Sequence, residues 1–236
     1  MRPEMPHHPT PPHPKSAPQD PRAALFKDPN FRWMTSGSFL SMLGDQFTLI
    51  ALPWLVLQMT GDTLVLGTVL ALISIPRALF ILVGGALVDR HSPKQVLMVT
   101  KYVNLVLLAA LAGLVLAGTL TLWMVYALSL GIGLATAFSI PAGTAMMPHV
   151  VARHQLQAAN GVNLGLRQLT MFLGPLLAGL LIALFGDAST APASSEGGAR
   201  ANATGIGIAF ALDALSFAVS AWTLSKVQTH AGSAAP

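Results

Sequence analysis

The chain has 236 residues, of which 53% are hydrophobic and only 9% are charged, and its mean hydropathy is +0.62. A soluble domain carries about a quarter charged residues, so this composition favours a protein of the lipid bilayer. The net charge of +4 does not predict a nucleic-acid partner, because the basic residues lie in separate short breaks, and the lack of cysteine excludes disulfides, thiol catalysis and thiolate metal sites.

Residues 1–30 are rich in proline and histidine and contain little that could be buried. They are predicted to form a disordered cytoplasmic tail. His7, His8 and His13 could bind a metal, but a solvated tail explains them better, and no metal site is predicted. The first apolar run begins only near Trp33 and is long enough to stay in the membrane, so a cleavable signal peptide is not expected.

Six apolar segments follow, and a spanning helix needs about 20 residues. The predicted helices cover Phe31–Leu57, Leu64–Val88, Val96–Ala117, Leu120–Ile140, Val162–Phe185 and Gly205–Leu224. This pattern predicts an all-α, polytopic membrane domain over residues 31–226, with an outer loop at 186–204 and a disordered cytoplasmic tail at 227–236. The break over residues 141–160 is predicted to be long, with room for a short surface helix.

The lysines and arginines predict how the domain is oriented. They gather in the amino-terminal tail and in the breaks after the second, fourth and sixth helices, whereas the opposite side has only Arg200. Both termini are therefore expected in the cytoplasm, with the domain in the cell's inner membrane. Each tryptophan lies near a predicted helix end, where an amphipathic ring belongs: Trp33, Trp54, Trp123 and Trp222.

An acidic residue interrupts the first helix. Asp45 lies fourteen residues after Phe31, about 21 Å along the axis and near the middle of the bilayer. A charge there costs about 2.5 kcal/mol or more, so a compensating environment is expected. The side chains of Ser38, Ser41 and Thr48 recur at helical spacing with Asp45. This polar stripe is predicted to face the bundle interior or a water-filled cavity.

Arg77 lies at a similar depth in the second helix, thirteen residues after Leu64. Because a short loop joins the two helices, Asp45 and Arg77 are predicted to pair, directly or through water. Such a pair is either a static packing device or a proton-dependent switch, and the sequence leaves both open. For Asp213 in the sixth helix, a polar packing contact is favoured over a proton relay. For Arg167, extension to the headgroups is favoured over substrate binding.

The loop "GGALVDRHSPKQVLM" resembles the signature loop of the major facilitator superfamily, G-x-L-a-D-R-x-G-R-K-x-x-L. The matching residues are Gly85, Leu87, Asp89, Arg90, Lys94 and Leu97. Ser92 replaces the family's glycine and Pro93 replaces a basic residue. These departures predict a looser turn and a weaker basic cluster.

A segment of the fifth helix, "TMFLGPLLAG", resembles the family's antiporter motif, g-x-x-x-G-P-x-x-G-G. Gly174, Pro175 and Gly179 match, while Thr170 and Ala178 stand where the family has glycine. Proline bends a helix and glycine lets another helix approach closely. The segment "LGDQFTLIALPWLVLQMTG" of the first helix further resembles drug and siderophore exporters of the macrolide and enterobactin type.

The resemblance implies the amino-terminal half of a twelve-helix transporter, in which helices 1, 2, 4 and 5 line a central cavity. It implies proton-coupled export of a mostly apolar compound, with Asp45 and Arg77 in the cavity. Gly85, Asp89, Arg90 and Lys94 would form a cytoplasmic gate. The implied partners are the lipid bilayer, a small-molecule substrate, protons, and a second six-helix half or a second copy. No cofactor beyond the proton gradient is implied.

One alternative is a truncated or half-size membrane protein that does not transport and serves as an assembly subunit or a relic. An enzyme is not predicted, because the sequence contains neither a G-x-x-x-x-G-K-[ST] phosphate loop nor an H-E-x-x-H zinc motif.

Overall fold

The computed structural model describes residues 25–185 and 196–228, and the tail histidines His7, His8 and His13 lie outside these ranges. Six long helices cross this part of the chain, and each is long and apolar enough to span a membrane. They are α1 (Pro29–Thr60), α2 (Thr63–Arg90), α3 (Pro93–Leu116), α4 (Leu122–Val150), α5 (Leu156–Phe185) and α6 (Glu196–Lys226), with a 3₁₀ turn at Arg153–Gln155. The predicted all-α, six-span fold is confirmed.

The breaks between helices are set by local chemistry. Gly61 ends α1 in the left-handed region, with φ of 64°. The carboxylate of Asp62 then accepts a hydrogen bond of 2.8 Å from the backbone N–H of Leu64 and so begins α2. Gly118, with φ of 68°, follows α3 in the same way. The sequence predicts both of these short breaks, one after the first helix and one after the third.

The prediction of a long break over residues 141–160 is wrong. Helix α4 continues through Pro141 and Pro148 to Val150, and only a short turn separates it from α5. Prolines are tolerated inside membrane helices where neighbouring groups satisfy the freed backbone. Between the two prolines the hydroxyl of Thr144 adds bonds within the helix, to the carbonyl of Ile140 at 3.3 Å and to that of Pro141 at 2.9 Å.

Two other helix limits differ from the prediction. Helix α5 begins at Leu156 rather than Val162. Helix α6 begins at Glu196, upstream of the predicted start at Gly205, so the end of the predicted outer loop is helical. The loop and tail boundaries at residues 186–195 and 229–236 lie outside the described residues.

Helices adjacent in sequence are not the main packing partners. Helix α1 packs chiefly against α6 and then α5, α2 packs against α4, and α3 lies between α4 and α6. Glycines explain the closest contacts: a Cβ on Gly37 would collide with Thr223, and one on Gly44 would collide with Ser216 and Asp213. The expectation that α1 and α2 are close neighbours at mid-depth is therefore wrong.

The interior has two apolar clusters with a polar layer between them. One cluster is built around Phe47, Leu108 and Phe210, and the other around Phe31 and Met146. The polar layer lies where α1, α3 and α6 meet. Its buried members are Ser41, Thr100, Lys101, Asn104, Asp213, Ser216, Ser220 and Thr223.

One end of the bundle is tied together by contacts among α1, α3 and α6. The ammonium of Lys94 donates to the carbonyl of Val227 at 2.6 Å. The backbone N–H of Gln228 donates to the side chain of Asn30 at 2.9 Å. The rings of Trp33 and Trp222 meet edge to face, with centroids 5.4 Å apart. The start of α1, the start of α3 and the end of α6 therefore lie at the same end of the bundle.

Candidate functional site

The polar stripe of α1 is divided between two faces of the helix. Ser41 is buried towards α3, and Thr48 donates a hydrogen bond of 2.5 Å to the carboxyl group of Asp213 on α6. Asp45 is exposed on the face that the other described helices leave uncovered. The site therefore presents one carboxyl group outwards and anchors its own helix through hydroxyls on the other side.

Lys101 is the cationic neighbour of Asp45. It lies eight residues after Pro93, about 12 Å into α3, and is only 6% exposed. Its ammonium donates to the hydroxyl of Ser41 at 3.3 Å and lies 5.6 Å from the centroid of the Phe217 ring. Ser41 precedes Asp45 by one helical turn, so the ammonium lies within about a turn of the carboxylate along α1. No direct ion pair joins the two in the described residues, but their opposite charges attract each other.

Asp213 is the second acid of this region and is only 1% exposed. Besides the bond from Thr48, it receives one from the hydroxyl of Ser216, 3.3 Å from Oδ1. The predicted packing contact is confirmed, since the bond from Thr48 joins α6 to α1, whereas the bond from Ser216 lies within α6. Asp213 and Asp45 are near enough that their like charges act on each other.

The predicted pair of Asp45 and Arg77 does not form a direct contact. Both residues belong to the described part of the chain, yet no ion pair joins them there, and Arg77 is exposed on α2. The physical reason is the packing order, because α2 turns towards α4 and has few contacts with α1. A role for Arg77 in a cavity stays a prediction.

The antiporter-like segment of α5 brings this helix onto α1 beside the acid. A Cβ on Gly174 would lie 2.5 Å from Cβ of Gln46, the residue after Asp45. Thr170, Gly174 and Ala178 are all buried at a spacing of one helical turn, whereas Pro175 is exposed. Thr170 and Ala178, the two positions that depart from the antiporter motif, therefore take part in the close packing.

Gly179 contributes nothing to that contact, since a Cβ there would meet no atom within 4 Å. Arg167 is also exposed on α5. Because α5 begins at Leu156, Arg167 lies eleven residues, or about 16 Å, into the helix, deeper than the sequence suggests.

The signature loop forms a tight turn, so the predicted loosening by Ser92 and Pro93 is wrong. Helix α2 ends at Arg90 and α3 begins at Pro93, because proline suits the first helical position. Ser92 stands at the N-cap without a side-chain capping bond, and its carbonyl accepts a hydrogen bond of 3.1 Å from the backbone N–H of Val96. Lys94 is bound to the end of α6, as described above, whereas Asp89 is exposed.

Lys101 is the residue that sequence reasoning misses. It falls near a predicted helix end, where a lysine normally reaches the headgroups. One signal was available: Leu97, Lys101, Asn104 and Leu108 recur at helical spacing, and all four are buried. A lysine in register with apolar residues indicates a position facing the interior.

The sequence comparisons agree with this architecture. Residues 34–233 match the Major Facilitator Superfamily. This chain belongs to that family. The match includes the signature loop, the antiporter-like segment and all six helices except the first turn of α1.

Three relatives indicate a branch of the family. The multidrug efflux pump Tap of Mycobacterium tuberculosis is 31% identical over 167 residues, 65% of this chain and 38% of the pump. Macrolide efflux protein A of Streptococcus pyogenes is 28% identical over 160 residues, 66% of this chain and 38% of that protein. The enterobactin exporter EntS of Shigella boydii is 26% identical over 170 residues, 70% of this chain and 39% of the exporter.

The matched region spans less than two fifths of the length of each of these relatives. No solved structure matches the chain. The resemblance to drug and siderophore efflux proteins is thus confirmed for a six-helix unit.

Proposed function

We propose that this chain forms one six-helix half of a membrane exporter that moves a mostly apolar small molecule outwards in exchange for protons. The observation that carries the proposal is an exposed acid, Asp45, at the middle of an apolar spanning helix. Ionisable groups at this depth are costly and typically mark substrate or proton pathways. The names of the efflux relatives favour drugs or siderophores as the substrate class.

In this proposal, Asp45 is the proton acceptor, because it is the acid on the uncovered face of α1. Asp89 and Arg90 are exposed at the carboxyl end of α2, where they can contact a second six-helix unit. That unit is either a separate half or a second copy of this chain. Both termini are proposed to face the cytoplasm, in keeping with the placement of the basic residues.

The test is transport by the full chain in liposomes. Purified protein is reconstituted with the lipophilic dye Nile red, a proton gradient is imposed, and dye movement is followed by fluorescence. We expect gradient-driven movement that Asp45→Asn abolishes without reducing membrane insertion. Asp62→Asn is the matched control, since asparagine also caps a helix well and Asp62 lies in a loop.

The alternative, a membrane protein that does not transport, is distinguished by the same preparation. Its mass in detergent micelles reports whether it forms a dimer. Monomeric protein that moves no dye under any gradient would exclude transport by this chain alone or as a homodimer. Equal transport by the wild type and Asp45→Asn would show that Asp45 takes no part in the mechanism.

A further inference from the structure

We propose that Lys101 is the resident counter-ion of Asp45 and that Asp213 stays protonated beside them, so that the three side chains hold one exchangeable proton, at Asp45. The inference rests on the proposed function, because it explains how the proposed acceptor is controlled. It assigns roles to α3 and α6, the two helices that the sequence resemblance places outside the cavity.

The three side chains can carry one positive charge and two negative charges. Of the ionisable side chains whose burial the structure describes, only Lys101 and Asp213 are buried, and Asp45 acts on both of them. One cation can neutralise one carboxylate. A second ionised acid would leave an unpaired charge inside the membrane, which is costly. The neutral arrangement of this unit therefore has one ionised acid and one protonated acid.

The two acids differ in their exposure and in the charge of their partners. Asp213 is only 1% exposed, and its side-chain partners are the hydroxyls of Thr48 and Ser216. Neither partner carries a charge. Asp45 is exposed and has the ammonium of Lys101 as its attractive partner. The ionised carboxylate therefore belongs at Asp45, where a proton can also arrive from outside.

The ammonium of Lys101 lies among uncharged groups. The hydroxyl of Ser41 and the ring of Phe217 hold Lys101 in place, and neither supplies a full negative charge. A buried ammonium without an acid would be expensive. Lys101 therefore depends on Asp45, and protonation of Asp45 weakens what holds α3 to α1.

The other helices offer no competing group in the described contacts. On α2 and α5, which also contact α1, the charged residues at mid-helix are Arg77 and Arg167, and both are exposed. On α4, the titratable side chains are Tyr126 and His149, near opposite ends of the helix. Lys101 and Asp213 are thus the charged groups through which the bundle acts on Asp45.

The test measures protonation of Asp45 directly and needs no transport. The full chain in liposomes is treated with dicyclohexylcarbodiimide, which modifies protonated carboxyl groups in membranes, and the fraction labelled at Asp45 is read by mass spectrometry across a pH series. With Lys101→Met, we expect the midpoint of labelling to move to higher pH by about one unit or more, because the cation that favours ionised Asp45 is gone.

Two controls make the reading specific. Lys94→Met removes another lysine of α3 and should leave the midpoint unchanged. Asp213→Asn replaces a neutral group by a neutral group of the same shape and should also leave it unchanged. If Lys101→Met fails to fold, as judged by gel filtration, Ser41→Ala is used, and it should shift the midpoint in the same direction by a smaller amount.

An unchanged midpoint in a folded variant that lacks Lys101 or Ser41 would overturn the assignment of the counter-ion. A shift to lower pH in Asp213→Asn would show that Asp213 is ionised and would overturn the proton count. Loss of dye transport with the expected labelling shifts would instead count against the proposed function alone.

Discussion

Gly84 of α2 lies directly against the main chain of α4 at Ala137. A Cβ at this position would be 2.7 Å from the carbonyl oxygen of Ala137, whereas one on the adjacent Gly85 would meet no atom within 4 Å. The two glycines at the start of the signature loop therefore have different structural roles. The first closes the α2–α4 contact, and the second, which matches the family pattern, leaves an open surface.

Gly84→Ala is expected to lower the stability of the domain by about 1–3 kcal/mol, because the obstructing atom is backbone and cannot rotate away. Gly85→Ala is the matched control and should be neutral or slightly stabilising, since alanine suits a helix interior better than glycine. Thermal unfolding in detergent, followed by tryptophan fluorescence, measures both. Equal melting temperatures for the two variants would contradict the assignment.

The antiporter-like segment offers a second matched pair. Gly174→Ala should destabilise the domain by about 1–3 kcal/mol, because the new methyl group collides with Cβ and Cγ of Gln46 on α1. Gly179→Ala meets open space and should cost nothing. Titration with sodium dodecyl sulfate gives the free energy of unfolding for each. A larger loss in Gly179→Ala would mean that α5 packs through a different face.

Lys94 fastens the carboxyl end of α6 through the carbonyl of Val227. A hydrogen bond from a charged donor is worth about 1.5–3 kcal/mol, so Lys94→Gln should increase hydrogen exchange over residues 224–228 by roughly tenfold or more. Arg90→Gln changes a charge in the same loop but lies outside this contact and should leave the exchange unchanged. Mass spectrometry of exchanged peptides decides between them, and a uniform increase across α6 would point to global loosening.

The hydroxyl of Thr48 satisfies a buried acid on another helix. Thr48→Val keeps the shape of the side chain but leaves Asp213 short of a partner, which costs about 1–3 kcal/mol. Thr48→Ser restores the donor and should recover most of the melting temperature. Thr68→Val on α2 is the control, because that hydroxyl bonds only to its own helix at Leu64. Similar losses for Thr48→Val and Thr68→Val would rule out a special role for the interhelical bond.

The six spans follow from the sequence because hydropathy and turn chemistry are local. Gly61 and Asp62 mark the first break by their conformational and capping preferences, and the structure uses both in that way. The length of α4 could not be deduced in the same manner. A proline such as Pro141 signals a break in water, but inside a membrane bundle its helix is maintained by neighbours that the sequence does not identify.

The candidate site was only partly predictable, because it depends on which helices meet. The depth of Asp45 and the small residues beside it are readable from helical spacing. The partner of Asp45 cannot be read from helical spacing. The short loop between α1 and α2 suggested Arg77, whereas the packing of α1 on α6 brings α3 and Lys101 near. Which helix faces meet depends on the packing of the whole bundle.

The contact of the first helix with the last has a consequence for how the domain is made. The hydrogen bond between Thr48 and Asp213 joins positions 165 residues apart. At about 5–20 residues per second, a ribosome needs roughly 8–33 seconds to synthesise that interval. Throughout this time Thr48, Gly37 and Gly44 of α1 lack the residues of α6 that they contact in the folded domain. Lys101, only 60 residues beyond Ser41, emerges well before α6 does. Helix α1 therefore has to stay in the membrane, with its polar residues unpaired on the α6 side, until translation of the sixth span is complete.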